Sequence, residues 1–100
     1  MPSRFTARAP AIATILVDDE RVRVTRWDFE PGAETGHHVH GMAYVVVPMT
    51  DCDFLLEEPT GERRVSVAAG QAYSRPVGVE HNVVNGGTAP MSFIEVEVKR

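Results

Sequence analysis

The chain has 100 residues, enough for one domain, because two domains of half this length could not each bury a useful core. Apolar residues make up 43% and charged residues 24%, which is typical of soluble globular domains. The net charge of −4 offers no electrostatic attraction for nucleic acid or an anionic membrane surface, and no apolar run is long enough for a membrane span. The single cysteine, Cys52, excludes an internal disulfide, so we expect a reducing, cytoplasmic location.

The predicted elements are strands almost throughout, because the hydrophobic period is two along most of the chain. Residues 1–10 read as an N-terminal arm that is flexible or exchanged with another copy. The short apolar stretch 11–17 reads as a first strand rather than a signal peptide. Within residues 22–29 the apolar parity shifts part-way, which predicts a bulge near Thr25 or Arg26.

The later strands follow from the same reasoning. Residues 43–49, AYVVVPM, are continuously apolar, as expected for a strand buried on both faces. Residues 93–100, FIEVEVKR, alternate apolar and charged side chains. Turn signals separate these runs at intervals of roughly 8–12 residues, which is typical of an antiparallel sandwich or barrel. We therefore predict one all-β domain over residues 1–100.

Three of the four histidines lie within four positions, in the stretch TGHHVHGMAY of residues 35–44. Alternate residues of a strand face the same side, so His38 and His40 point together and His37 points away. The fourth, His81, follows the turn sequence RPVGVE, which could aim it from a neighbouring strand. Three imidazoles with open positions are typical of a catalytic metal, whereas histidines in solvated loops are the alternative, and spacing alone does not decide.

The residues around the histidines carry two spaced motifs. The first is G-x5-H-x-H, matched by Gly32, His38 and His40. The second is G-x5-P-x-G-x2-H-x3-N, and it is matched at every specified position by Gly70, Pro76, Gly78, His81 and Asn85. With these motifs the chain resembles the cupin superfamily over nearly its whole length from about residue 20. The segments YVVVPMTD and RPVGVEHNVVN look like the small cupins associated with β-alanine degradation.

The resemblance implies a double-stranded β-helix, the cupin barrel of jelly-roll type, made of about 9–11 short strands. It also implies a divalent metal ion held by His38, His40 and His81. Small cupins commonly pair through an edge strand, so we expect a homodimer in which the N-terminal strand AIATILV pairs or is exchanged.

The chain departs from the cupin pattern after the second histidine. The usual glutamate, separated from that histidine by three or four residues, is absent, and Tyr44 and Val45 occupy these two positions. The resemblance then implies a three-histidine site, as in three-histidine iron dioxygenases, while other cupins keep the fold without measurable chemistry. Three neutral ligands leave the full 2+ charge on the ion, making it a stronger Lewis acid. Tyr44 could ligate the metal as phenolate, hydrogen-bond a bound water or substrate, or only pack.

Tyr73 and Arg75 share one parity on the strand before Pro76. If that parity faces the barrel cavity, Arg75 could clamp a substrate carboxylate as a bidentate donor; otherwise it is a solvated or interface residue. We therefore take Tyr44, Tyr73 and Arg75 as the candidate catalytic residues.

Two functional hypotheses follow. The first is a metal-dependent enzyme acting on a small carboxylate- or thiol-bearing metabolite. Iron would favour dioxygenation, whereas zinc or nickel would favour Lewis-acid chemistry, and manganese is a further candidate. The second is a non-catalytic cupin that binds a small ligand or assists another enzyme.

Overall fold

The structure, a computed structural model, describes residues 8–99. Within that range the chain forms nine strands, with no helix that could cross a membrane. The strands are β1 (Ile12–Asp18), β2 (Val22–Phe29), β3 (His38–Val39), β4 (Ala43–Pro48), β5 (Cys52–Glu58), β6 (Gly61–Val67), β7 (Tyr73–Arg75), β8 (Glu80–Asn85) and β9 (Met91–Val98). The all-β prediction is confirmed.

The strands form two antiparallel sheets. One has the order β1-β2-β9-β4-β7, and the other has the order β3-β8-β5-β6. After β4 the chain passes between the two sheets repeatedly, so neighbours within a sheet are often distant in sequence. This arrangement is a double-stranded β-helix, as predicted.

The core between the sheets centres on three phenylalanines. Phe29 and Phe54 come from opposite sheets, and their rings lie 5.5 Å and 5.7 Å from that of Phe93. Each of the three is at most 3% exposed. Burial of a side chain of this size contributes roughly 1.5–3 kcal/mol to stability, so this cluster holds the sheets together.

The inward face of the five-stranded sheet is aromatic in the middle and polar toward one end. On β2 the inward-facing side chains extend from buried Phe29 at one end to Arg23 at the other. On β9 they extend from Phe93 to Glu97. The register between β2 and β9 is regular over all eight pairs. The predicted bulge in β2 is therefore wrong: the register shift lies on β1, where Leu16 is the extra residue. The apolar pattern changes along β2 because Thr25 and Arg23, which are polar, lie on the same inward face as Phe29.

The segment before β1 lies against the four-stranded sheet. Ala11 N donates to Glu34 O at 2.7 Å, and Glu34 N donates to Ala9 O at 2.9 Å. The Arg8 guanidinium forms ion pairs with Glu34 at 3.3 Å and with Glu57 at 3.0 Å. Residues 1–7 of the predicted arm lie outside the described residues, and the exchange of the arm between copies stays a prediction.

Candidate metal centre

Strand pairing brings the three predicted ligands together. In the antiparallel register of β3 and β8, His38 lies directly opposite His81. His40 follows just beyond β3, and the turn before β8 holds its backbone. His40 N donates to Val79 O at 2.8 Å, and Gly78 N donates to His40 O at 2.8 Å. Gly78 has a φ of +94°, a conformation that side-chain-bearing residues rarely adopt, so the motif glycine is required there.

The three imidazoles converge. His40 Nε2 lies 3.0 Å from His38 Nε2 and 3.1 Å from His81 Nε2. Two nitrogens about 2.1 Å from one ion are about 3.0 Å apart at a right angle and about 3.4 Å apart at a tetrahedral angle. The two separations therefore fit adjacent positions of an octahedral ion, which would leave further positions open. The cluster is compatible with a divalent metal site.

Burial favours the neutral imidazole form that binds metals. Desolvation, with a smaller contribution from the neighbouring histidines, lowers the pKa of both His40 and His81 to about 4. His38 Nδ1 lies 2.8 Å from the carbonyl oxygen of Gly36. Donation from Nδ1–H to this carbonyl leaves the Nε2 lone pair of His38 directed at the other two rings.

Tyr44 covers one face of His40. The two rings are stacked, with centroids 3.8 Å apart and planes at 16°, and Tyr44 is only 3% exposed. Burial raises the pKa of Tyr44 to about 12, although the neighbouring Arg75 guanidinium opposes that rise. The stacked contact shows that Tyr44 packs against the histidine cluster as well as lining the adjacent cavity.

A cavity of about 390 Å³ opens beside the histidines. Tyr73 and Arg75 line it together with Tyr44 and His81. The face of β7 that carries Tyr73 and Arg75 therefore points into the barrel. Burial raises the pKa of Tyr73 to about 12. Apolar side chains form most of the remaining wall: Val46, Phe54, Leu56, Val65, Val67, Ala72, Val83 and Phe93.

Besides Arg75, the cavity holds three charged groups that sequence reasoning did not single out: Glu58, Arg63 and Glu95. Arg63 pairs with Glu58 at 3.0 Å, whereas Arg75 and Glu95 form no ion pair with any residue in the range 8–99. Burial, followed by the nearby Glu97 carboxylate, raises the pKa of Glu95 to about 7. Glu95 was missed because FIEVEVKR reads as a strand with apolar residues inside. One signal could have revealed it: Glu95 is two residues after Phe93, so both side chains lie on the same face of the strand.

The remaining histidine and the cysteine lie away from the cluster. His37 Nε2 is 2.8 Å from a Glu80 carboxylate oxygen on the exposed surface. Cys52 is buried in the core, with its sulfur 3.7 Å from Ser92 O.

Two asparagines fix the loops around the centre. Asn82 Oδ1 accepts from Gly36 N at 3.0 Å. Asn85 Nδ2 donates to Ala89 O at 2.9 Å, and Gly87 N donates to Asn85 Oδ1 at 3.0 Å. Asn85 therefore bonds the backbone of the turn that follows β8.

Comparison with known proteins agrees with this architecture. The chain is 52% identical over 95 residues to the beta-alanine degradation protein BauB of Pseudomonas aeruginosa, covering 95% of this chain and 100% of that one. It also matches the crystal structure of a cupin domain from Bordetella pertussis, with a TM-score of 0.91 and 49% identity, covering 95% and 99% of the two chains. The chain belongs to the cupin superfamily. The predicted resemblance of this cupin to small cupins associated with β-alanine degradation is thereby confirmed.

More distant structures share only the fold with this cupin. A double-stranded beta-helix protein from Klebsiella pneumoniae matches with a TM-score of 0.75 at 21% identity, covering 99% of this chain and 82% of that chain. The polyketide cyclase RemF from Streptomyces resistomycificus matches with a TM-score of 0.71 at 22% identity, covering 100% and 81%. A scan against protein-family models gives no match.

Proposed function

We propose that this cupin is a metalloenzyme in which His38, His40 and His81 hold one divalent ion, with iron the first candidate. The observation that carries the proposal is that His40 Nε2 lies 3.0 Å from His38 Nε2 and 3.1 Å from His81 Nε2, next to a cavity. Three imidazoles, one of them oriented by a backbone carbonyl, fit a first-row divalent metal. Iron would supply the redox chemistry of a dioxygenation, whereas zinc or nickel would supply Lewis-acid chemistry.

The cavity supports a small carboxylate-bearing metabolite as the substrate. Arg75 lines the wall and forms no ion pair with the rest of residues 8–99, so its guanidinium is available to bind a carboxylate through two hydrogen bonds. Tyr44 and Tyr73 line the same cavity and would contact the bound molecule. The relative BauB is named for β-alanine degradation, and β-alanine is itself a small carboxylate. A small thiol is the alternative substrate class.

A non-catalytic cupin that binds a small ligand or assists another enzyme is the second candidate. Tyr44 favours it, because a stacked phenol occupies the position where the cupin pattern places a carboxylate.

We also propose that two copies associate through β1. All seven residues of this edge strand are exposed, and they include Ile12 at 65%, Ile15 at 60% and Leu16 at 52% exposure. An exposed apolar edge strand is a template for pairing with another chain. The cytoplasmic location stays an expectation based on the single cysteine.

Metal analysis of protein purified without a histidine tag tests the site. We expect close to one ion per chain in the wild type and a loss of the ion in the His38→Ala/His40→Ala variant. His37→Ala is the matched control and should keep the ion. Unchanged metal content in the double variant would contradict the proposal.

Oxygen consumption tests the chemistry. Iron-reconstituted protein is assayed with small thiols, β-hydroxy acids and β-amino acids, and turnover of one class would support the enzyme. An absence of turnover and of specific ligand binding, in every metal form, would favour the accessory role.

A further inference from the structure

Strand β9 brings two glutamates to the inward face of the sheet beside the histidines. Glu95 and Glu97 share their parity with buried Phe93. Each offers a carboxylate oxygen that lies, together with a ring nitrogen of His40, in a group of atoms all within 4.8 Å of one another. Two inward glutamates next to an imidazole are costly for an apolar interior, so each needs a physical reason to be there.

Glu97 has such a reason in its strand neighbours. It lies directly between Arg23 on β2 and Tyr44 on β4 in the sheet register. The guanidinium of Arg23 forms its ion pair with Asp18 at 3.4 Å, but its position opposite Glu97 places a positive charge on the adjacent strand.

Glu95 has no such partner. Its register neighbours are Thr25 on β2 and Val46 on β4, both neutral. Glu95 is half-buried and makes no ion pair within residues 8–99. Unlike Glu97, it also lines the cavity, together with His81 and Tyr44. Arg63 and Arg75 line the same cavity, but neither forms an ion pair with Glu95 within residues 8–99. The histidine triad borders the cavity through His81, and a cation bound there would stabilise the Glu95 carboxylate.

We propose that Glu95 is the carboxylate of the metal centre: β9 supplies the negative charge that Tyr44 does not supply from β4. This inference rests on the proposed function, since it needs a cation at the triad. With three neutral imidazoles the ion keeps its full charge, and the nearby carboxylate of Glu95 reduces the net charge of the centre and strengthens binding of the ion. Glu95 lines the cavity in which the substrate would bind.

Titration of the metal-free, untagged protein with Co²⁺, followed by visible absorption, tests this role. We expect Glu95→Gln to weaken Co²⁺ binding about 10- to 100-fold and to change the absorption spectrum. Glu97→Gln is the matched control and should stay within about threefold of the wild type. Thermal unfolding without metal should show that Glu95→Gln is at least as stable as the wild type, because the substitution removes a half-buried carboxylate that has no ion pair within residues 8–99.

A second substitution keeps the test specific. Glu95→Asp keeps a carboxylate on β9 and should retain most of the Co²⁺ affinity that Glu95→Gln loses. A loss that Glu95→Asp shares in full, or that Glu97→Gln matches, would assign the effect to packing or general charge and overturn the inference. So would wild-type affinity and spectrum in Glu95→Gln. Co²⁺ binding that survives His38→Ala/His40→Ala would instead overturn the proposed function.

Discussion

At the scale of single residues, Tyr44 is where this chain differs most from the cupin pattern. Its ring stacks on His40, so removing the ring should leave a cavity, while removing only the hydroxyl should not. We expect Tyr44→Ala to reduce the free energy of unfolding by about 3–5 kcal/mol. Tyr44→Phe should keep Co²⁺ affinity within about threefold and weaken binding of a small carboxylate by about 2- to 10-fold. Denaturant unfolding and calorimetric titration measure both effects, and loss of the metal in Tyr44→Phe would identify the phenol oxygen as a ligand.

Arg75 is the second residue whose role depends on side-chain chemistry. Arg75→Lys keeps the positive charge but loses the two-pronged donor geometry, so affinity for a small carboxylate should fall about 10-fold or more. Metal content should not change. Arg63→Lys is the matched control, because Arg63 lines the same cavity but is already paired with Glu58. Calorimetric titration with β-alanine and propionate measures the difference, and equal losses in the two variants would exclude a specific clamp at Arg75.

At the scale of elements, β3 is only two residues long, and its neighbours hold it in place. Asn82 on β8 accepts from Gly36 N just before β3, and its Nδ2 donates to Glu34 at 2.7 Å and to Glu57 at 2.9 Å. Arg8 binds the same two carboxylates. This network joins the N-terminal segment, β5 and β8 around the turn that leads to the first ligand.

Glu57 gives this network a dependence on pH. Hydrogen bonds from Arg8 and then from Asn82 lower the pKa of Glu57 below its ordinary value of 4.5. The stabilisation is therefore present above about pH 4.5 and is lost as the pH falls through the lowered pKa. At pH 6 we expect Glu57→Gln to be less stable than the wild type by up to about 1 kcal/mol, with the difference shrinking as the pH falls from 6 through that lowered pKa.

Urea unfolding of the metal-free protein across this pH range measures the effect. Glu30→Gln is the control, since Glu30 is exposed and makes no ion pair within residues 8–99. A difference between the wild type and Glu57→Gln that stays constant with pH would contradict the linkage to this carboxylate.

At the scale of the whole molecule, the described part of the chain is elongated, at 49 × 26 × 21 Å, with β1 at the edge of the larger sheet. We expect Ile15→Lys to convert a dimer into a monomer in size-exclusion chromatography with light scattering, because it places a charge on the exposed apolar edge. Met49→Lys is the matched control: Met49 is 46% exposed but lies in a turn away from β1. Identical masses for the wild type and both variants would contradict association through β1.

Much of the fold could be predicted because its signals are local. The period of two and the regular turn signals predicted an all-β barrel. The spacing of two motifs predicted that His38, His40 and His81 would meet, and their Nε2 atoms do converge. The motif residue Asn85 bonds the turn just after β8, since an asparagine side chain reaches the backbone nearest to it.

The errors arose where a pattern depended on neighbours distant in sequence. The bulge is on β1 at Leu16 rather than on β2. The apolar run of β4 buries one face fully, with Tyr44 and Val46 each 3% exposed, while Val45 and Val47 on the other face are only half-buried. Periodicity along the sequence shows that the two faces of a strand differ, but it does not show which polar side chains will line a cavity.

The sequence by itself determined the elements, the cupin motifs and the three histidines, because these depend on residue type and on spacing along the chain. Only the tertiary structure decided that Glu95 faces the cavity without a cationic partner while Glu97 lies next to Arg23. It also decided that Tyr44 stacks on His40. The reason is the register of β2, β9 and β4, which sets each side chain's neighbours across the sheet and is fixed by the packing of the whole barrel.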